Sequence, residues 1–195
     1  GVSYAFFLMI RLPPASPLFP YPALLRSSVT ESPFPYQKPH PPLRIAANSA
    51  DTFIRLGEAG HPIFVGLRGM DIPELRQNVN QYRRSWKDAG HEGEGDVSLR
   101  IPVYAGETME QAMDEPFDSI SSYFGRMGSL YRERAGKAGL ETTELADGRA
   151  ERIEALSYED MLETKIAFGT ADSLIDRFTQ LKEELGLDGI VAELN

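Results

Sequence analysis

The sequence predicts an α/β protein built on a parallel sheet. Short apolar runs alternate with amphipathic helical patterns over residues 43–195, in the order β-α-β-α-β-α-(α)-α-β. That is the signature of parallel strands joined by crossover helices. The strand candidates are continuously apolar rather than alternating, as expected of strands covered on both faces. No Gly-x-Gly-x-x-Gly follows any of them, so a dinucleotide-binding doubly wound sheet is disfavoured. Four strands fit either an open doubly wound sheet or half of a (β/α)8 barrel.

The first strand is expected at Leu43–Ala47, in "LRIAA". Ser49 then stands at the N-cap of a helix over about Ala50–Ala59, with Gly60 as its stop. "PIFVG", Pro62–Gly66, reads as the second strand, and "GLRGMD" as the loop after it. Asp71 and Glu74 flank Pro73 in the pattern of a capping box. Ile72, Leu75, Val79, Tyr82 and Trp86 recur at spacings of 3, 4, 3 and 4, which gives one apolar stripe ended by Gly90. Tyr82 and Trp86 are expected in the core.

"VSLRIPVYA", Val97–Ala105, is the third strand. Thr108 and Gln111 form a second capping-box pattern, opening a helix that Pro116 interrupts or kinks. Residues 128–157 are polar and carry no clear period, so no single conformation is assigned to them. Thr170 caps a last helix with the stripe Leu174, Phe178, Leu181 and Leu185, which Gly186 ends before the final strand, Ile190–Leu194.

The N-terminal segment differs in kind. Ten of the 14 prolines fall within residues 1–42, where Glu31 is the one acid. "VSYAFFLMI" is apolar enough for a short signal-peptide core, but no basic residue precedes it and prolines follow where a small-residue cleavage site belongs. The run is also far short of the roughly 20 residues a membrane helix needs. "FFLMIRLPPASPLFPYPALLRSS" resembles translated sequencing-adapter sequence. Residues 1–28 are therefore expected to be irregular and foreign to the rest, 29–42 to be a proline-rich linker, and 43–195 to form the folded unit.

Composition narrows the function. A net charge of −9 gives no basic stripe to neutralise phosphates, so a nucleic-acid partner is not expected. With no cysteine there is no disulfide, thiolate metal site or cysteine nucleophile. His40, His61 and His91 lack metal-ligand spacing, and no metal is expected. "GHEGEGD" is glycine-rich, but its acids would repel phosphate. The default is a cytoplasmic enzyme without a membrane partner.

Four stretches point further: "QKPHPPLRIAANSADTF", "GHPIFVGLRGMD", "RIPVYAGET" and "FGTADSLIDRFTQLKEELGLDGIVAELN". In this order, over about residues 33–195, they resemble the C-terminal half of the luciferase-like monooxygenases. The resemblance implies the last four strands and helices of a (β/α)8 barrel. It also implies a fragment of an enzyme that uses reduced FMN, or a deazaflavin, and dioxygen to oxidise a small organic substrate. The reduced flavin would come from a flavin reductase or a bound nicotinamide donor.

Within that frame the turn at Ala47, Asn48 and Ser49 is the candidate holder of the flavin phosphate. Unpaired N–H groups at a helix start suit an anion, and two side chains there bear hydrogen-bonding atoms. The other reading is that Ser49 only caps its helix. Arg68, between Gly66 and Gly69, is the second candidate cofactor ligand, against a bland solvent-facing role. The turn from Tyr104 to Thr108 offers only hydroxyls. No residue reads as a general base, so the catalytic residues are not assigned. The alternatives are a non-redox phosphate-binding barrel enzyme, or an inactive truncated chain that associates into a homo-oligomer or is unstable.

Overall fold

The structure, a computed structural model, describes residues 42–135 and 148–194. The expectations for segments 1–28 and 29–41, and His40 with them, lie outside the described residues. Strands β1 (Ile45–Ala46), β2 (Ile63–Gly66), β3 (Val97–Ala105), β4 (Ala167–Gly169) and β5 (Gly189–Leu194) form one parallel sheet. Between them run α1 (Ala50–Glu58), α2 (Ile72–Asp88), α3 (Met109–Asp114), α4 (Phe117–Ala135), helical residues 148–154 as α5, α6 (Tyr158–Thr164) and α7 (Ala171–Leu185).

The sheet has five strands rather than the expected four. The additional one is "AFG", too short for any period to show in sequence. Its place follows from the register. Val103 pairs with Leu194 of β5 and also with Ala167 of β4, so those two strands lie on opposite edges of β3. Ser98 likewise pairs with β2 and β5. Strands β2 and β4 thus share one edge of β3, in succession, and the order across the sheet is β1-β2-β3-β5. Among the described residues the outer edges of β1 and β5 have no strand partner.

One face of the sheet carries Ile63, Val65, Val97, Leu99, Ile101 and Val103, all buried. Phe53 and Leu56 of α1, Leu75, Val79 and Tyr82 of α2, and Leu174, Leu181 and Leu185 of α7 close over them. These are the residues of the predicted stripes; Phe178 and Trp86 sit at the rim. The other face is covered only in part, contrary to the expectation of burial on both sides. It carries Phe64, Ser98, Arg100, Pro102, Val191 and Glu193. At its C-terminal end Tyr104 and Phe168 join a second cluster with Ile120, Phe124, Ile153 and Met161 from α4, α5 and α6.

Helix ends bear out the local reading with differences. Asp71 accepts from Glu74 N at 2.8 Å, but the Glu74 carboxylate turns to Arg152 at 3.1 Å rather than back to Asp71. Thr108 accepts from Gln111 N at 3.1 Å, and Gln111 Oε1 accepts from Glu107 N instead of from the cap residue. The chain does break at Pro116, between α3 and α4. Ser157 and Asp160 make a full capping box at the start of α6, immediately after the stretch 128–157 that carries no clear period. There α4 continues to Ala135 and α5 occupies 148–154; residues 136–147 lie outside the described residues.

At the N-terminal ends of the strands the contacts are of the holding kind. Arg44 pairs with Asp96, joining the approaches to β1 and β3. Arg83 of α2 donates to the Gly186 carbonyl, and Asp188 accepts from Val97 N at 2.9 Å. Gly186 ends α7 at φ 65°, a left-handed conformation suited to glycine.

Candidate functional site

In a parallel α/β sheet the strand-to-helix loops gather at the C-terminal ends of the strands, where ligands bind. Here that end holds the loops after β1, β2, β3 and β4. One cleft lies elsewhere. It is an open groove of about 390 Å3 lined by Asn80, Arg83, Arg84, Lys87, Gly93 and Glu94, beside the loop leading into the start of β3. The topology puts it at the opposite end, away from the converging loops.

Ala47 is the last residue held by the β1–β2 ladder. Its N–H donates to Phe64 O at 3.0 Å and its side chain is buried. Asn48 is exposed. Ser49 takes the N-cap position of α1 with extended backbone, and its carbonyl accepts from Thr52 N at 2.9 Å and Phe53 N at 3.2 Å. Its hydroxyl, however, makes no capping hydrogen bond. It lies 2.7 Å from the Thr52 hydroxyl instead. The expected cap is therefore a backbone cap only, and two hydroxyls stand together at the helix start. Asp51 places a carboxylate in the same turn, but Arg55 one turn on engages it at 2.9 Å. Thr52 was not singled out in the sequence; its place three residues after Ser49 was the available signal.

Arg68 leaves the loop after β2 in another direction. Its Nη2 donates to both carboxylate oxygens of Glu193 on β5, and its Cζ lies 5.2 Å from the centre of the Tyr123 ring of α4. Glu193 is also paired with Arg100 of β3. The three charged side chains are each about a quarter exposed, at 23%, 26% and 23% for Arg68, Arg100 and Glu193. The structure thus brings Ala47, Asn48 and Ser49 together and sets Arg68 apart, across β3. Burial pushes the Tyr123 phenol up from its ordinary range, and Arg68 nearby opposes this. At the third turn, Tyr104 donates to Glu115, which holds that carboxyl below its ordinary range.

Among the described residues no three His, Asp or Glu side chains are grouped to hold a metal ion. None of the described helices is long and apolar enough to cross a membrane.

A parallel α/β unit with its loop cluster at the strand C-termini is the arrangement of α/β enzymes, open-sheet and barrel alike. The family model for luciferase-like monooxygenases matches residues 21–189, and the chain belongs to that family. The match begins inside the 1–28 segment. Solved structures share the fold. The oxygenating constituent of 3,6-diketocamphane monooxygenase from Pseudomonas putida, a type II Baeyer-Villiger monooxygenase in complex with FMN, is 17% identical with a TM-score of 0.60, covering 80% of this chain and 42% of its own. The coenzyme F420-dependent tetrahydromethanopterin reductase from Methanopyrus kandleri is 19% identical with a TM-score of 0.54, covering 79% of this chain and 45% of its own. A riboflavin lyase with modified FMN and riboflavin is 23% identical with a TM-score of 0.56, covering 80% and 39%. The chain spans less than half the length of each of these structures. A comparison with curated proteins gave no match.

Proposed function

We propose that this chain is the C-terminal part of a flavin-dependent monooxygenase, in which reduced FMN or a deazaflavin and dioxygen oxidise a small organic substrate. The observation that carries the reading is the Ser49 hydroxyl, which caps no backbone N–H of its helix and stands 2.7 Å from the Thr52 hydroxyl at the mouth of the loop cluster. This donor set fits a phosphate. The hydroxyls of Ser49 and Thr52, the Asn48 amide and the N–H groups of the first turn of α1 that the Ser49 carbonyl does not take all serve an anion, and the helix dipole adds to them. When bound, the flavin supplies the redox chemistry; the protein orients it and excludes water. Ala47 fixes the turn against β2, so the phosphate ligands are carried on the rigid edge of the sheet. Arg68 contributes positive charge at the same mouth from across β3.

Family membership and the FMN in the camphane enzyme support this reading. We further propose a cytoplasmic enzyme supplied with reduced flavin by a separate reductase or by a nicotinamide donor. The outer edges of β1 and β5, which have no strand partner among the described residues, favour association into a homo-oligomer.

Titration of the chain with FMN, followed by flavin fluorescence, tests the reading. Replacing Asn48 and Ser49 with alanine should raise the dissociation constant roughly 10- to 100-fold. Charge-assisted hydrogen bonds of about 1.5–3 kcal/mol would be lost. An unchanged constant with the fold intact would reduce Ser49 to a backbone cap.

A further inference from the structure

The groove of about 390 Å3 beside the start of β3 gathers the charge opposite to that of the whole chain. Asn80, Arg83, Arg84 and Lys87 recur at spacings of three and four along α2 and so share one side of that helix. Three of the lining side chains are cations and one, Glu94, is an acid, in a chain of net charge −9. Arg83 is committed to the fold: its Nη2 donates to the Gly186 carbonyl and lies 3.6 Å from Asp188. Arg84 and Lys87 are exposed, and among the described residues neither is paired with a carboxylate, although Asp88 and Glu94 are near. The opposite wall is the loop before β3, which is fixed at two points. Trp86 Nε1 donates to Glu92 O at 2.9 Å, and His91 Nε2 donates to Glu58 O at 2.8 Å. Gly93 follows at φ 73°, with nothing within 4 Å of where a Cβ would stand, and Glu94 then lines the groove.

We propose that this groove binds a phosphorylated sugar, with the phosphate on Arg84 and Lys87 and the hydroxyls on Glu94 and Asn80. The site is separate from the turn at Ser49 and does not depend on the flavin reading. Two cations one turn apart suit the charge of one phosphate, and the guanidinium fork matches its oxygens. The carboxylate decides what else the ligand carries. It would repel a second phosphate, but it accepts hydrogens from a pair of neighbouring hydroxyls, and the Asn80 amide can both donate and accept. No aromatic or aliphatic side chain lines the groove, so nothing there supports a base or a hydrocarbon tail. The carbonyls at the end of α2 do not oppose the phosphate directly. Those of Ser85, Trp86 and Lys87 accept from Ala89 N, His91 N and Gly90 N. Its volume is in the range of small-molecule sites. From Ile72, beside the Arg68 loop, α2 runs about 18 Å to Arg84, so a ligand here leaves the loop cluster free.

Calorimetric titration of the full chain with ribose 5-phosphate, ribose and inorganic phosphate tests this. Ribose 5-phosphate should bind once per chain and more tightly than either of its parts. Arg84→Gln with Lys87→Gln should weaken it by about tenfold or more. Glu94→Gln separates a sugar phosphate site from a plain cationic patch by sign. It should weaken ribose 5-phosphate about fivefold, whereas a patch that only attracts anions would bind more tightly once the acid is gone. All three side chains are exposed, so these variants leave the core untouched. AMP should bind no more tightly than ribose 5-phosphate; a tighter AMP would name a nucleotide as the source and keep the phosphate and hydroxyl contacts. Absence of saturable binding, affinity no better than that of inorganic phosphate, indifference to Arg84→Gln with Lys87→Gln, or tightening by Glu94→Gln would each overturn the proposal. Loss of ribose 5-phosphate through Asn48→Ala with Ser49→Ala instead would overturn it too, and would assign that binding to the cofactor turn.

Discussion

Replacing Gly57 with alanine tests the packing of α1 on α2, because local propensity and tertiary contact predict opposite signs. Gly57 is buried within α1. In an exposed helix interior, alanine is favoured over glycine by about 1 kcal/mol. Here a Cβ would stand within 3.0 Å of the Tyr82 carbonyl oxygen, 2.9 Å from Ser85 Cβ and 3.1 Å from Trp86 N. Two of these three atoms belong to the α2 backbone and cannot rotate away, so the helices must part by on the order of 0.5–1 Å. A gap of that size forfeits a quarter to a half of each dispersion contact it opens. Overpacking of this kind costs typically 1–3 kcal/mol, and a rigid backbone neighbour places it near the top of the range. After the propensity gain, the net loss is about 2 kcal/mol. For a chain of this size that lowers the melting temperature by about 4–8 °C. Gly125 of α4 is the internal control, since nothing lies within 4 Å of its Cβ position. Alanine there should raise the melting temperature by up to about 4 °C. Thermal unfolding followed by circular dichroism reads both. A Gly57→Ala variant as stable as the parent would refute the close approach of the two helices.

Two further outcomes are expected. Burial, with Asp96 and Asp188 adding to it, pushes the Tyr82 phenol up to about 12, while its hydroxyl donates to His61 O at 3.0 Å. The folded state holds that proton more tightly than the unfolded one. The associated stability is complete below pH 10 and is lost as pH rises towards 12. Tyr82→Phe should therefore be less stable at neutral pH and lose less between pH 10 and 12; parallel curves would sink the assignment. Leu194 on β5 is 87% exposed and Leu43, leading into β1, 51%, so light scattering of the chain should show association above the monomer mass. A clean monomer with cooperative unfolding would show that these edges are harmless.

Much of the fold was legible in sequence because the strongest elements bury one face against a common core. The stripe from Ile72 to Trp86 and the one from Leu174 to Leu185 follow the helical period, and their residues close over β3 as that period requires. The capping residues Asp71, Thr108 and Thr170 were readable for the same reason: a cap bonds within its own first turn. The three-residue strand β4 was not readable, since it exists only because β3 is long enough to pair with β2 along one half of an edge and with another strand along the other. The second cluster was hidden too. Ile120, Phe124, Ile153 and Met161 come from three helices with weak individual stripes, and only their assembly over Phe168 makes them a core.

The site divides in the same way. Sequence placed Ala47, Asn48 and Ser49 at a strand-to-helix turn, because the order of local signals fixes such a junction. It marked Arg68 by the glycines around it. It did not disclose that the Ser49 hydroxyl turns to Thr52, or that Arg68 reaches across β3 to a carboxylate 125 residues later in the chain. The same holds for Gly57: its sequence neighbours ask only for a helix, while a second helix lying against it demands the missing side chain. Caps, stripes and turns are decided within one or two turns of chain and so are written locally. Which charges meet, which hydroxyl stays unpaired and which glycine admits a neighbouring backbone depend on the register of distant strands, and only the folded sheet decides them.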